Sequence, residues 1–124
     1  MRTMLRLRAI IPLLALALMV VTSATGLACD KSFVLINRSN KTIVAFFASP
    51  HASNRWEDNI LGSDSLEPGL RDGIDMKSDQ RHYSLYDIKA VFADGTKVEG
   101  ARFNLCRVAY IGVYNHKVMY RNGH

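Results

Sequence analysis

The sequence predicts an all-β protein: a small antiparallel β-sandwich or barrel following an N-terminal signal helix. Three observations carry the expectation. After residue 28 the apolar residues fall into short runs rich in Val, Ile, Phe and Tyr, the side chains that suit a pleated surface. Gly, Pro, Asn and Asp gather between those runs, where turns need them. No stretch after residue 28 keeps the 3.6-residue period of an amphipathic helix, so five to seven strands in one domain, residues 29–124, are the expected architecture.

The elements follow in order. Phe33-Val34-Leu35-Ile36 is a compact β-forming run, closed by the polar turn residues Asn37 to Lys41. Thr42 to Ala48 is β-branched and aromatic on both faces, so a second, central strand pairing with the first as a hairpin is expected. Ser49 to Leu61 is polar around a lone tryptophan and reads as a long connection. Leu66-Glu67-Pro68-Gly69 and Asp72-Gly73 mark turns, with a weak strand over Ile74 to Lys77. His82 to Ala93 holds Tyr86, Ile88, Ala90 and Phe92 at the two-residue period of a half-buried strand. Asp94-Gly95 turns it back antiparallel into Lys97 to Leu105, and Arg107 to Tyr120 supplies one longer strand or two short ones.

Residues 1–28 have the layout of a cleaved export signal: a basic start with Arg2, Arg6 and Arg8, an apolar run from Ala9 to Val21, and small residues up to Ala28. The run is shorter than the roughly 20 residues that span a bilayer, so no stable membrane span is expected in the mature form. Location in the periplasm or outside the cell follows. Leu27-Ala28-Cys29 also fits the end of a lipoprotein site, although Gly26 stands where such a signal usually carries leucine. Cys29 is thus a disulfide half or, alternatively, a lipid acceptor.

Formal charge is +5 for the whole chain. Without the three signal arginines, thirteen basic and eleven acidic residues remain, and no run of Lys and Arg is left to track phosphates. Nucleic acid is therefore not an expected partner. Cys29 and Cys106 are the only two cysteines, and export would let them pair. Closing so long a loop stabilises by roughly 4–5 kcal/mol in the chain-entropy account, comparable with the whole net stability of a small domain.

Candidate chemistry is sparse. His51, His82, His116 and His124 lack the spacing of metal-binding pairs. Asp58 to Ser65 gathers oxygen ligands without the order of an EF-hand loop. Ser84, His82 and Asp87 include the residue types of a hydrolytic triad, but on one strand Asp87 would point away from the other two. Neither a cofactor nor a metal site is expected. Trp56 is the sole tryptophan, and its ring can anchor a partner or a sugar, or else fold back to cap the core.

The succession Phe33, Asn37, Thr42-Ile43, Ser49-Pro50, Trp56, Asp58-Asn59, Leu61-Gly62, Leu66 and Pro68-Gly69, followed by Tyr86-Asp87-Ile88, Phe92 to Gly95 and Asn104-Leu105-Cys106, resembles a group of short exported bacterial proteins of uncharacterised function. The resemblance implies one compact β-domain, with Trp56 and the Pro68-Gly69 turn as structural fixtures, and no activity. Members of that group often carry a cysteine two residues before the Tyr-Asp pair, suited to bonding the later Leu-Cys. Here the place holds Ser84, which leaves Cys106 either free or paired with Cys29.

The functional expectation is a small exported binding or modulating protein, non-enzymatic, whose partner is an unknown protein or envelope component. Its expected binding residues are Trp56, Arg55, Asp58 and Asn59, in the loop from Ser49 to Asp64. Two alternatives stand beside it: a small hydrolase or metal-dependent enzyme using His82 and Ser84, and a calcium-stabilised structural module.

Overall fold

The structure is a computed structural model and describes residues 28–123. The export signal over residues 1–28 lies outside the described residues save for Ala28, as does His124. Seven strands form two sheets: β1 (Phe33–Asn37), β3 (Arg71–Ile74), β6 (Val108–Val113) and β7 (Val118–Asn122) in the order β3-β1-β6-β7, and β2 (Ile43–Pro50), β4 (Leu85–Phe92) and β5 (Lys97–Asn104) in the order β2-β4-β5. The sheets pack as a β-sandwich. Among the described residues no helix is long and apolar enough to cross a membrane.

Alternation in the strands builds the core. Leu35, Ile111 and Val113 face inward from the four-stranded sheet, and Ile43, Phe46, Tyr86, Ile88, Ala90 and Phe92 meet them from the other. Each is almost wholly removed from water, and such burial contributes roughly 1.5–3 kcal/mol per large apolar side chain. The β4–β5 hairpin turns at Asp94-Gly95 as expected, with Gly95 at a φ of +88° and its N–H donating to the Phe92 carbonyl. Arg107 to Tyr120 divides into β6 and β7 at Asn115 to Lys117.

Two expectations about pairing are corrected. β1 and β2 do not form a hairpin; they belong to different sheets. The Asn37 carboxamide directs the crossing: its Nδ2 donates to the carbonyls of Lys41 and Leu66, and its Oδ1 accepts from the Ser39 N–H and hydroxyl. These bonds satisfy backbone groups that a tight hairpin would have paired across strands. β1 instead runs parallel to β6 and antiparallel to β3. β2 is an edge strand rather than a central one. Its free edge is covered: the Phe46 carbonyl accepts from Ile60 N–H, and Ile43 exchanges backbone bonds with Leu66. Covering an edge in this way blocks pairing with another chain.

Asp72-Gly73 lies within β3, not in a turn, so the third strand comes three residues earlier than the sequence suggests. The turn before it is the one Pro68-Gly69 defines: Leu70 N–H donates to the Glu67 carbonyl, with Gly69 at a φ of +84°. That geometry is a type II turn, which calls for proline and then glycine at its centre.

Cys29 and Cys106 form a disulfide, their Cα atoms 5.6 Å apart. The bond ties the segment entering β1 to the turn between β5 and β6. With its sulfur in that bond, Cys29 has no thiol left to accept a lipid. At the position of Ser84, the residue's carbonyl accepts from Leu105 N–H, next to the disulfide.

Candidate functional site

The strongest candidate lies at the end of the sandwich where β1 begins. Two residues past the disulfide, Lys31 is fully buried. Its ammonium donates to the carbonyls of Asp79 (3.0 Å) and Arg81 (2.8 Å) and stands 3.9 Å from the Asp79 carboxylate. A buried lysine is tolerated only when its donors are matched in this way. The bonds fold the Lys77 to Arg81 segment over the end of the core, although its composition alone reads as a solvated loop.

From Asp79 the network runs outward. Tyr86, buried at the first inward position of β4, donates its hydroxyl to Asp79 Oδ2 at 2.5 Å. Arg81 donates to both Asp79 oxygens and, through Nη1 and Nη2, to both oxygens of Glu57 at 2.8 and 3.1 Å. The Arg81 hydrogen bonds, aided by the Tyr86 hydroxyl, hold the Asp79 carboxyl well below the usual carboxylate range. Arg81 likewise lowers Glu57. Burial foremost, then the bond to Asp79, pushes the Tyr86 phenol above its ordinary value. The carboxylates stay ionised and the phenol stays protonated throughout the neutral range, so this cluster is a fixed frame rather than a proton shuttle.

That frame positions Trp56. Its neighbour Glu57 is held twice, by Arg81 through the side chain and by the Ser49 hydroxyl, which accepts Glu57 N–H at 2.7 Å. The indole lies on the Lys89 ammonium, 4.8 Å from its centroid, and the same ammonium is 4.5 Å from the Phe47 ring. A cation between two aromatic faces gains from both quadrupoles. Trp56 is therefore half-buried and held in place, neither folded into the core nor free in solvent. Beside it opens a groove of about 500 Å³, lined by Trp56, Ile60 and Met76 together with Arg55, Asp58 and the outer side of the Asp79–Arg81–Glu57 chain.

The expected binding residues divide. Trp56, Arg55 and Asp58 line one groove, and Arg55 and Asp58 are exposed. Asn59 turns inward: its Oδ1 accepts from Phe46 N–H and Leu61 N–H, and its Nδ2 donates to the Gly62 carbonyl. Its carboxamide completes the covered edge of β2, standing where a neighbouring strand would. Met76, Asp79, Arg81 and Lys89 belong to the site without having been singled out from the sequence. Only their folding together reveals them, because Met76, Asp79 and Arg81 sit in a stretch of ordinary surface composition and Lys89 is one of the outward residues of the β4 alternation.

The Asp87 carboxylate turns to His51, whose Nδ1 is 2.9 Å away, and also accepts Arg102 N–H. Arg102 Nε donates to His51 Nε2 at 3.3 Å, so that nitrogen acts as an acceptor and the imidazole proton faces Asp87. Asp87 is thus joined to His51 and Arg102 rather than to His82 and Ser84. Among the described residues no three His, Cys, Asp or Glu side chains converge as a metal site would require.

Comparison of the chain with protein-family models, with curated proteins and with solved structures finds no match.

Proposed function

We propose that the protein is an exported, non-enzymatic binding domain that engages a protein or other envelope component through the groove beside Trp56. One observation carries the reading: the only tryptophan of the chain is held at the lip of an open groove by a partly exposed ionic frame anchored on the buried Lys31, with an exposed cation and an exposed anion beside it. A rigid aromatic anchor loses little conformational freedom when a partner covers it, which is why such residues dominate binding energetics. The Arg55 and Asp58 pair suits a polypeptide segment with an apolar side chain flanked by charge. The Cys29–Cys106 disulfide supports an oxidising compartment, in keeping with the signal-like start of the chain.

The test is site-specific photo-crosslinking in the producing cell. A photoreactive residue at Arg55 is expected to capture a discrete partner, whereas the same residue at Leu70, exposed at the opposite end of the sandwich, captures none. Trp56→Ala in the Arg55 background should reduce the captured species at least about tenfold, the loss expected of a hot-spot anchor. Equal capture from both positions, or capture indifferent to Trp56→Ala, would refute the assignment.

A further inference from the structure

The outer face of the four-stranded sheet carries a second arrangement that the Trp56 groove does not use. Register places its outward residues in two rows. One runs Arg71, Ile36, Gly112, Met119 across β3, β1, β6 and β7; the next runs Gly73, Val34, Tyr110, Arg121. Gly112 leaves a depression in the first row, because the missing side chain exposes the floor beside Ile36. Its opening is about 270 Å³, and Arg38, Tyr110, Tyr114, Met119 and Arg121 wall it.

Two guanidinium groups define its chemistry. The Arg121 guanidinium lies 4.7 Å from the centroid of Tyr110, laid along the sheet instead of extending into solvent. The Arg38 side chain crosses Gly112, its Cδ 3.7 Å from where a Cβ would stand. Among the described residues neither arginine has a carboxylate partner, and no Asp or Glu lines the depression. The sequence shows no such concentration: Arg38 and Arg121 are 83 positions apart, and the β1–β6–β7 pairing brings them to one opening.

We propose that this depression binds a carboxylate-bearing sugar, a hexuronate unit of an anionic glycan. Guanidinium groups pair with carboxylates through two parallel hydrogen bonds, and both here are already restrained over the sheet. Arg121 lies over the Tyr110 ring and the Lys117 ammonium is 5.5 Å from the Tyr114 centroid, so the tyrosines serve as walls whose hydroxyls can bond ring hydroxyls, while Met119 supplies apolar contact to the C–H side of a pyranose. The opening admits one ring, not a track. The adjoining depression beyond Tyr110 holds one acid and one base, Asp75 and Lys77, so the positive field is local. A nucleic-acid strand needs basic groups along several nucleotides, and a phosphate site is usually a nest of backbone N–H groups; this floor is an apolar sheet face.

The experiment is calorimetric titration of the intact disulfide-bonded protein with trigalacturonate and triglucuronate, with maltotriose and an oligothymidylate of similar charge as the other arms. At least one uronate should bind and weaken as salt rises, since one exposed ion pair is screened, while the neutral trisaccharide should not bind. Arg121→Gln should weaken binding about tenfold or more. Gly112→Val keeps the charge and fills the floor; Gly112 is not at a positive φ, and an added Cβ would stand 3.3 Å from Tyr114 Cε1, so the Tyr114 ring must shift by a few tenths of an ångström to admit it, and binding should be lost. Trp56→Ala should leave the uronate isotherm unchanged, which separates this site from the groove. Near-ultraviolet circular dichroism checks that each variant is folded. Absence of uronate binding at millimolar concentration, equal binding of maltotriose, tighter binding of the oligonucleotide, or indifference to both Arg121→Gln and Gly112→Val would each overturn the proposal.

Discussion

Arg81 and Arg121 stand on opposite parts of one small sandwich and show what the fold does with a surface arginine. Arg81 sits where the Lys77 to Arg81 segment closes over the buried Lys31, and four of its five N–H groups are engaged: two oxygens of Glu57 and two of Asp79 accept its protons. Arg121 lies on the outer face of β7 against the Tyr110 ring, with no acid lining its surroundings. The first has committed most of its hydrogen-bonding capacity to acids of the protein itself. The second retains its capacity for something else. Counting charges cannot separate them, since both are exposed arginines in polar sequence; which acids the topology brings near decides the role.

The comparison can be broken most severely at its root. Cys29 delivers Lys31 to the frame, so the Cys29→Ser, Cys106→Ser double variant should lose roughly 4–5 kcal/mol of stability, measured as a lowered urea midpoint. The outer-face arginines have no part in that loss. Next comes Asp79→Asn, which removes the one carboxylate shared by Lys31, Arg81 and Tyr86. Breaking a buried charge network by removing one member costs about 3 kcal/mol or more, again visible as a denaturation midpoint.

The same residue gives the pH dependence. Asp79 has a folded-state pKa held below its unfolded value, which is near 3.9. Its stabilising contribution is complete above that value and is lost as pH falls through and below it. Wild-type stability should therefore fall steeply below about pH 4, and the Asp79→Asn profile should be flatter in that window. A parallel pair of profiles would mean that the carboxylate is not held as described.

Smaller effects sharpen the contrast. Asn59→Ala should cost about 1–2 kcal/mol through the stranded Phe46 and Leu61 amides, which marks Asn59 as structural beside its exposed neighbour Asp58. Arg81→Ala, at a partly exposed ion pair, should cost no more than about 1 kcal/mol. Arg121→Gln should change stability by less than about 0.5 kcal/mol, whatever it does to a ligand.

Much of the fold was legible in the sequence because its signals are local. The alternation from Tyr86 to Phe92, the Asp94-Gly95 turn and the Pro68-Gly69 turn each specify a conformation within a few residues. Two cysteines in an export-type chain could pair in only one way. What stayed hidden was set by contacts between distant segments. Nothing near Phe33 announces a parallel partner at Tyr110, and Asn37 resembles an ordinary turn residue until its four bonds are seen. Of the candidate site, Trp56 could be picked out for its rarity and its polar setting. Its support could not, because Lys31, Asp79, Arg81 and Lys89 acquire their roles only when β1, the Lys77 to Arg81 segment and β4 meet.

The central claim is that the ionic frame holds Trp56 ready for a partner, and the single tryptophan reports on it without a label. Time-resolved fluorescence anisotropy follows indole motion on the nanosecond scale of loop movement. The wild-type protein should show the decay of overall tumbling alone, and Arg81→Ala should add a fast local component as Glu57 is released. A fast component of the same amplitude in the wild type, or no change on losing Arg81, would contradict the account.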